Sequence, residues 1–443
     1  MERRTATRVA IISDLHLGGP DPSMISRPER LARFLAALPG RALPDERLRL
    51  VIAGDFVDFL AIAPWRAFTA DPREAVAKLE ATAKDERFAP IFDGLGRLLA
   101  GGTEVDLLIG NHDLELALPP VRDALLARLG TSPERFRFHT SGSALRIGGL
   151  LVEHGNRYDG ANANDWEDLR AIASALSRFE TPSHHLDASP GSRLVEHVVN
   201  PLKARYPFVD LLKPQGELTA LLLFAFEPSL ERHVERIACI LRGARLRGSD
   251  RRSTRHARSQ IEEHDDELAA VFGASYVELR APHHHVPVHE WFDFAVQRDR
   301  HGLAERLERG ERIPARQLRA IRLALQRLLL DDRSAAPDGP IGHQGAEAAR
   351  ILAASDGAID TVVMGHTHLA RHVGPPDRAR YVNTGTWADV VRVPAAAMHD
   401  DDALEAFLAE LHADRRPAFP ATWAEVRIEA DGRVAQARLE TWC

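Results

Sequence analysis

Along the first 160 residues, short β-branched apolar runs alternate with segments of helical period. Val9-Ala10-Ile11-Ile12 is a continuous apolar run of the kind a strand buried on both faces needs, and the pattern predicts a strand over 8–13. An amphipathic helix over 28–38 follows, then a strand over 48–53, helices over 72–84 and 91–100, and a strand over 104–109. A helix over 121–129 leads to a short strand at 135–139. Segments 144–147 and 150–153 flank Gly148-Gly149, the turn signal of a β-hairpin. Such βα units with a hairpin point to one α/β domain.

From 161 to 345 the two-residue period fades and helical periods dominate, over 165–178, 217–242, 260–272 and 314–330. Two punctuated stretches interrupt them: 242–258, rich in Arg, Ser and Gly, and 281–289, with Pro282, Pro287 and four histidines. After 345 the α/β pattern returns, with a helix over 345–354, strands over 359–364 and 380–383, and a helix over 401–411. A final hairpin, 424–430 with 433–440, turns at Asp431-Gly432. The expected organisation is an α/β core built from 1–160 and 345–443, with 161–344 inserted as a helical cap.

Composition narrows this picture modestly. At 443 residues, the chain has room for a sizeable core and a second module, and 44% hydrophobic with 27% charged residues is ordinary for a globular protein. A formal net charge of -7 removes any general attraction to nucleic acid or anionic membrane, so phosphate recognition has to be local. Only Cys239 and Cys443 occur, which argues against a disulfide framework and for a reducing, cytoplasmic setting. No apolar leader precedes the first strand, and the run 218–226 is too short to span a bilayer.

The chemistry sits at the strand ends. Asp14-Leu15-His16 follows the first strand, and strand alternation would put its carboxylate and imidazole on one side. Four more segments repeat the theme: Gly54-Asp55-Phe56-Val57-Asp58, Gly110-Asn111-His112-Asp113, His154-Gly155 and Gly365-His366-Thr367-His368. Carboxylate, imidazole and amide oxygen without thiolate suit Mn²⁺, Fe²⁺ or Zn²⁺ in a reactive rather than a structural site. The glycines at 54, 110 and 365 are expected to let the backbone turn tightly beneath the metals.

In order and type, these five segments resemble the motif set of the calcineurin-like metallophosphoesterases, over about 1–160 and 345–390. The resemblance implies a four-layer α/β/β/α sandwich, here with a large helical insertion. It also implies two divalent ions, manganese first and iron or zinc next. Asp14, His16 and His368 would hold one ion, and Asn111, His154 and His366 the other, with Asp55 bridging. His139 also ends a short strand but lacks a following glycine, so His154 is preferred. The implied reaction is hydrolysis of a phosphodiester, pyrophosphate or phosphomonoester by a metal-bridging hydroxide, the two cations standing roughly 3.5–4 Å apart. His112 would serve as general acid or transition-state stabiliser, with Asp113 fixing its tautomer. Asp58 reads as a residue that fixes a loop or a ligand rather than as a ligand itself.

Substrate choice is expected from the polar segment after His154 and from the insert. Arg157 is a candidate phosphate clamp and Asn162 a candidate sugar or phosphate contact, although Asn164 or Asp165 also suits a helix N-cap. This segment and 381–387 are similar to the UDP-2,3-diacylglucosamine hydrolase branch, with His112 standing where that branch carries Arg. A phosphorylated small molecule or a lipid-linked substrate is the expected partner, and the insert offers a face for a homodimer. Residues 218–226 read as buried helix core before an acyl-chain wall. Residues His283, His284, His285 and His289 read as surface or gate residues before a further metal tract. Seven arginines over 242–258, neutralised by acidic residues at 262–267, read as a loop rather than a nucleic-acid arm. A nuclease of the same superfamily and a non-catalytic scaffold are the rival readings.

Overall fold

The structure is a computed structural model that describes residues 5–213, 217–227, 302–329, 342–417 and 419–442. Both cysteines, the arginines of 242–258, the acidic run 262–267, the helix expected over 260–272 and the histidines of 283–289 lie outside the described residues. The chain divides into two compact units, one of 1–192, 337–388 and 420–443, the other of 193–336 and 389–419. The second unit therefore takes in 389–419, a stretch that the pattern along the chain had grouped with the core.

The first unit is layered. One sheet has six strands in the order β11-β10-β1-β2-β3-β4, and the other five in the order β5-β6-β7-β9-β8. In the first, β1 (Thr7–Ile12), β2 (Arg47–Ala53), β3 (Glu104–Leu108) and β4 (Phe136–His139) run parallel. The final hairpin, β10 (Ala421–Ile428) with β11 (Val434–Trp442), adds antiparallel to β1. In the second, β5 (Leu145–Ile147) and β6 (Leu150–Val152) form the expected hairpin. Then β7 (Thr361–Met364) and β9 (Tyr381–Asn383) run parallel to β6. Strand β8 (Arg371–Val373) pairs antiparallel with β9 and has no sequence signal, since three residues are too few to show a period.

Strand alternation distributes the core. Ala10, Ile12, Leu50, Ile52, Val105 and Leu107 face the helices α1 (Pro28–Ala37), α2 (Pro72–Lys84), α3 (Ala89–Ala100) and α4 (Pro119–Leu129). Their neighbours Val9, Ile11, Val51, Ala53 and Leu108 face the second sheet and meet Leu150, Val152, Val363 and Val382. The far side of that sheet, with Val362, Met364 and Tyr381, is covered by the helix Gly342–Ala354 through Ala348, Ile351 and Leu352. Helices, sheet, sheet and helix give the four-layer α/β arrangement that the motifs implied. Both faces of β1 and of the second half of β2 are apolar, which is why 9–12 and 50–53 read as continuous hydrophobic runs.

The second unit is helical among the described residues. Leu218, Leu221, Leu222, Ala225 and Phe226 on the helix Glu217–Phe226 are buried, as are Ile321 and Leu325 on the helix Ala315–Leu329. Phe226 lies 5.3 Å from the Phe208 ring and 6.0 Å from that of Tyr206. The run at 218–226 is thus core of its own unit. Among the described residues, no helix is long and apolar enough to cross a membrane.

Candidate metal centre

Parallel strands send all their C-terminal ends to one edge, and there the chemistry-bearing loops emerge together. Ile12 is paired with Ile52, and Ala53 with Leu108, so the loops beginning at Ser13, Gly54 and Ile109 start level. In the second sheet Val152 is level with Val363, and Met364 with Asn383. Backbone bonds stitch neighbouring loops, from Asp14 N to Gly54 O at 3.1 Å and from Gly365 N to His154 O at 2.9 Å.

Local backbone, not strand alternation, aims the ligating side chains. Strand β1 ends at Ile12, and both Asp14 and His16 adopt left-handed conformations, with φ of 53° and 46°. Asp55, His366 and His368 do the same, with φ of 53°, 71° and 59°. L-residues pay a steric penalty there, and its clustering at the strand ends marks a functional constraint rather than a turn preference. The expectation for the glycines needs revision as well. Gly54 does turn, with φ of 92°, but Gly110 and Gly365 are required for space. A Cβ at Gly110 would strike Asp55 and His154, and one at Gly365 would strike Ser13 and Asp14.

One half of the site is Asp14, His16 and His368, all buried, whose ligating atoms lie within 4.8 Å of one another. His16 Nε2 is 3.0 Å from His368 Nε2, and His368 Nε2 is 3.3 Å from Asp14 Oδ1. Two imidazole nitrogens that close need a proton or a cation between them. Thr386 Oγ1 donates to Asp14 O at 2.7 Å, and Ser13 Oγ meets Thr384 Oγ1 at 2.6 Å, so β9 and its following loop brace this half.

The other half centres on His154 and Asn111. His154 Nδ1 donates to Ala53 O at 2.8 Å, which leaves Nε2 as the outward nitrogen, 3.2 Å from Asp55 Oδ2. His154 Nε2 and Asn111 Oδ1 are buried without a hydrogen-bond partner among the described residues. Buried polar atoms are rarely left so, and two such atoms around one carboxylate suit a cation. The His366 ring is 5.3 Å from that of His154, and its Nε2 is 3.0 Å from Asp159 Oδ2. Asp55 reaches both halves, because the same Oδ2 is 3.7 Å from His16 Nε2. The residues present therefore suit divalent cations by donor type, burial and unsatisfied valence.

Electrostatics agree with that fit. Burial pushes Asp14 upward, but the His368 contact outweighs it and holds the carboxylate down at about 2. Asp55 is held well below the ordinary carboxylate range, against burial, chiefly by His154. In return His154 is raised to about 10, although burial opposes this, because Asp55 faces it. The carboxylates draw a proton onto an imidazole where a cation would otherwise sit, so metal binding there would release a proton.

Beside these halves stands His112. Its ring lies edge-on to His16 at 4.6 Å, and Nδ1 is 3.0 Å from Asp58 Oδ1. Asp58 also meets His16 Nδ1, at 3.3 Å through Oδ2, so one carboxylate orients both imidazoles. The tautomer-fixing role expected of Asp113 thus falls geometrically to Asp58. Asp113 instead accepts Gly110 N at 2.6 Å and Phe56 N at 2.8 Å, tying together the loops that carry Asp55 and Asn111. Burial, and then the charge of Asp55, push Asp113 upward.

Arg157 is partly exposed, with Nη1 3.8 Å from Glu153 Oε2, and lines a cleft with His139, His154 and Trp166. Asn162 turns to Asp159, donating Nδ2 to Oδ2 at 2.7 Å, and so is committed to a neighbour of His366. Asn164 Nδ2 bonds Gly110 O at 3.2 Å, while Asp165 caps α5 (Trp166–Ser177) through Glu167 N and Asp168 N. His139 bonds Asp106 at 2.8 Å and joins none of the metal-competent groups. Asp159 escaped the reading of the sequence because nothing local pairs it with a histidine 207 positions away.

Residues 7–210 match the family model described as calcineurin-like phosphoesterase. That stretch carries Asp14, His16, Asp55, Asn111, His112 and His154, while His366 and His368 come from beyond it. No curated protein matches the chain.

Proposed function

We infer, from the match of residues 7–210 to the calcineurin-like phosphoesterases, that this chain is a dinuclear enzyme acting on a phosphodiester, pyrophosphate or phosphomonoester. The observation that carries this reading is Asp55 Oδ2, 3.2 Å from His154 Nε2 and 3.7 Å from His16 Nε2, between two sets of donors. Asp14, His16 and His368 would hold one cation, and Asn111, His154 and His366 the other, with Asp55 common to both. With Nε2 of His366 engaged by Asp159, the nitrogen left for a cation is Nδ1. Bound divalent ions, manganese first by donor type, would supply a nucleophile at neutral pH and neutralise phosphate charge.

The chain's own groups complete the chemistry. Asp58 holds Nδ1 of His112 and orients the ring, leaving Nε2 as the candidate proton donor to the leaving oxygen. Arg157 at the cleft edge is the candidate bidentate clamp for phosphate oxygens that the cations leave free. Asp113 holds the loops of Asp55 and Asn111 at fixed separation, a positioning role.

The test is hydrolysis of bis(p-nitrophenyl) phosphate by the Mn²⁺-loaded chain, with and without a chelator. Turnover abolished by chelation and restored by Mn²⁺ is the expected result. Fewer than one ion per chain at neutral pH and no hydrolysis would point to a non-catalytic scaffold. Cleavage of DNA with weak activity on the small diester would instead support a nuclease.

A further inference from the structure

His366 differs from the other candidate ligands in how it is held. His16 leans on Asp58, in the loop after β2, and His154 on the carbonyl of Ala53, the last residue of β2. His366 is held by Asp159, from the segment after His154, with Nε2 to Oδ2 at 3.0 Å. Asp159 is itself built into place. Its Oδ1 accepts Ala161 N at 2.9 Å, its backbone carbonyl accepts Asn162 N at 3.0 Å, and its Oδ2 accepts Asn162 Nδ2 at 2.7 Å. Asn162 is fixed in turn, since its carbonyl accepts Asn156 Nδ2 at 2.9 Å. Three donors besides the imidazole thus converge on one turn.

We propose that Asp159 is a positioning residue for the second cation, accepting Nε2–H of His366 so that the Nδ1 lone pair faces the metal. This rests on the dinuclear reading above. A carboxylate oxygen has no proton to give at neutral pH, so the bond selects the tautomer protonated on Nε2. An amide nitrogen at the same place would donate instead, select the Nδ1–H tautomer and block the ligating nitrogen. Asn162 supports the carboxylate and acts through it. The role expected of Asn162 from the sequence, a direct sugar or phosphate contact, is replaced by this indirect one.

Asp159→Asn separates this role from a structural one. Its side-chain oxygen can still accept Ala161 N, and the Asn162 amide can turn to offer its oxygen to the new NH2, so the turn and the thermal unfolding of the metal-free protein should stay close to wild type. Titration of the chelated protein with Mn²⁺, read by calorimetry and electron paramagnetic resonance, should show two ions in wild type. In Asp159→Asn one ion should stay at wild-type affinity, and the other should weaken by roughly 10- to 100-fold. Long-range ¹⁵N spectra of the metal-free protein should show His366 protonated on Nε2 in wild type and on Nδ1 in the variant. Asn162→Ala should weaken the same ion by less. Two ions of unchanged affinity in Asp159→Asn, or an unchanged His366 tautomer, would overturn the proposal. A wild-type stoichiometry below two would instead overturn the dinuclear reading on which it rests.

Discussion

The two halves of the candidate metal centre are built differently. Asp14, His16 and His368 are buried and close on one another, with nitrogen to nitrogen at 3.0 Å and nitrogen to oxygen at 3.3 Å. Around His154 the donors stay apart: Nε2 of His154 and Oδ1 of Asn111 are buried without hydrogen bonds among the described residues, and His366 leans outward on Asp159. In the first half the imidazole of His368 holds the Asp14 carboxylate down, and in the second His154 does the same for Asp55. The second adds the Asn111 amide oxygen, buried without a partner among the described residues in a low-dielectric setting, where a cation gains most. The two sites should therefore differ in how much binding an ion changes the protein. The second should give the larger stabilisation on loading and the larger proton release, because His154 must give up its proton.

The sharpest way to break this comparison is to alter the carboxylate that both halves share. Asp55→Asn should lower occupancy of both sites, measured by metal analysis after dialysis, and reduce turnover by roughly 10⁴-fold or more, as expected when several kcal/mol of metal stabilisation is lost. Loss of one ion with the other untouched would show that Asp55 belongs to a single half. Next comes a residue outside both. His112→Ala should cut diester turnover by roughly 10²- to 10³-fold with two ions still bound, because the seven proposed ligands are untouched, although the His112 ring also comes within ligating reach of His16 and Asp55. Wild-type turnover in that variant would remove His112 from the proton transfer.

The smallest effect on activity concerns Glu115, a buried carboxylate away from the cations. Burial pushes it from its ordinary 4.5 to about 7, although Thr69 N donates to it at 3.0 Å. The folded chain therefore holds a proton there that the unfolded chain loses between about pH 4.5 and 7, so this group's contribution to stability falls as pH rises through that window. Glu115→Gln keeps an acceptor for Thr69 N and should flatten the decline, by an amount of the order of 3 kcal/mol at pH 7. Denaturant midpoints at pH 5 and pH 7 measure it, and an unchanged pH slope would contradict it. Glu115 shows burial outweighing a nearby cation, the Lys78 ammonium, and Asp14 shows the reverse, an imidazole outweighing burial.

Most of the core was legible from one-dimensional pattern. The apolar runs at 9–12 and 50–53, the helical periods of α1 to α4, and the Gly148-Gly149 turn each act over a few residues. The elements that escaped, such as β8 and the short turns between 190 and 212, are too brief for a period to register. At the site, residue types at strand ends announced the donors, because only a few side chains can bind a hard or borderline cation. What they could not announce was aim. Alternation placed Asp14 and His16 together by the wrong mechanism, and adjacency gave His112 the wrong carboxylate, Asp113 instead of Asp58.

The sequence by itself determined which atoms are available: seven candidate ligands, a strand before each group, and glycines where a Cβ would collide. Those are local properties of covalent chemistry and backbone sterics. Tertiary structure decided which of them meet. The left-handed turns at Asp14, His16, Asp55, His366 and His368, the Asp58 link between two imidazoles, and the Asp159–His366 bond exist only once the strands align and bring their end loops together. Each joins or orients residues far apart in the chain, and no period along a sequence encodes a contact across 207 positions.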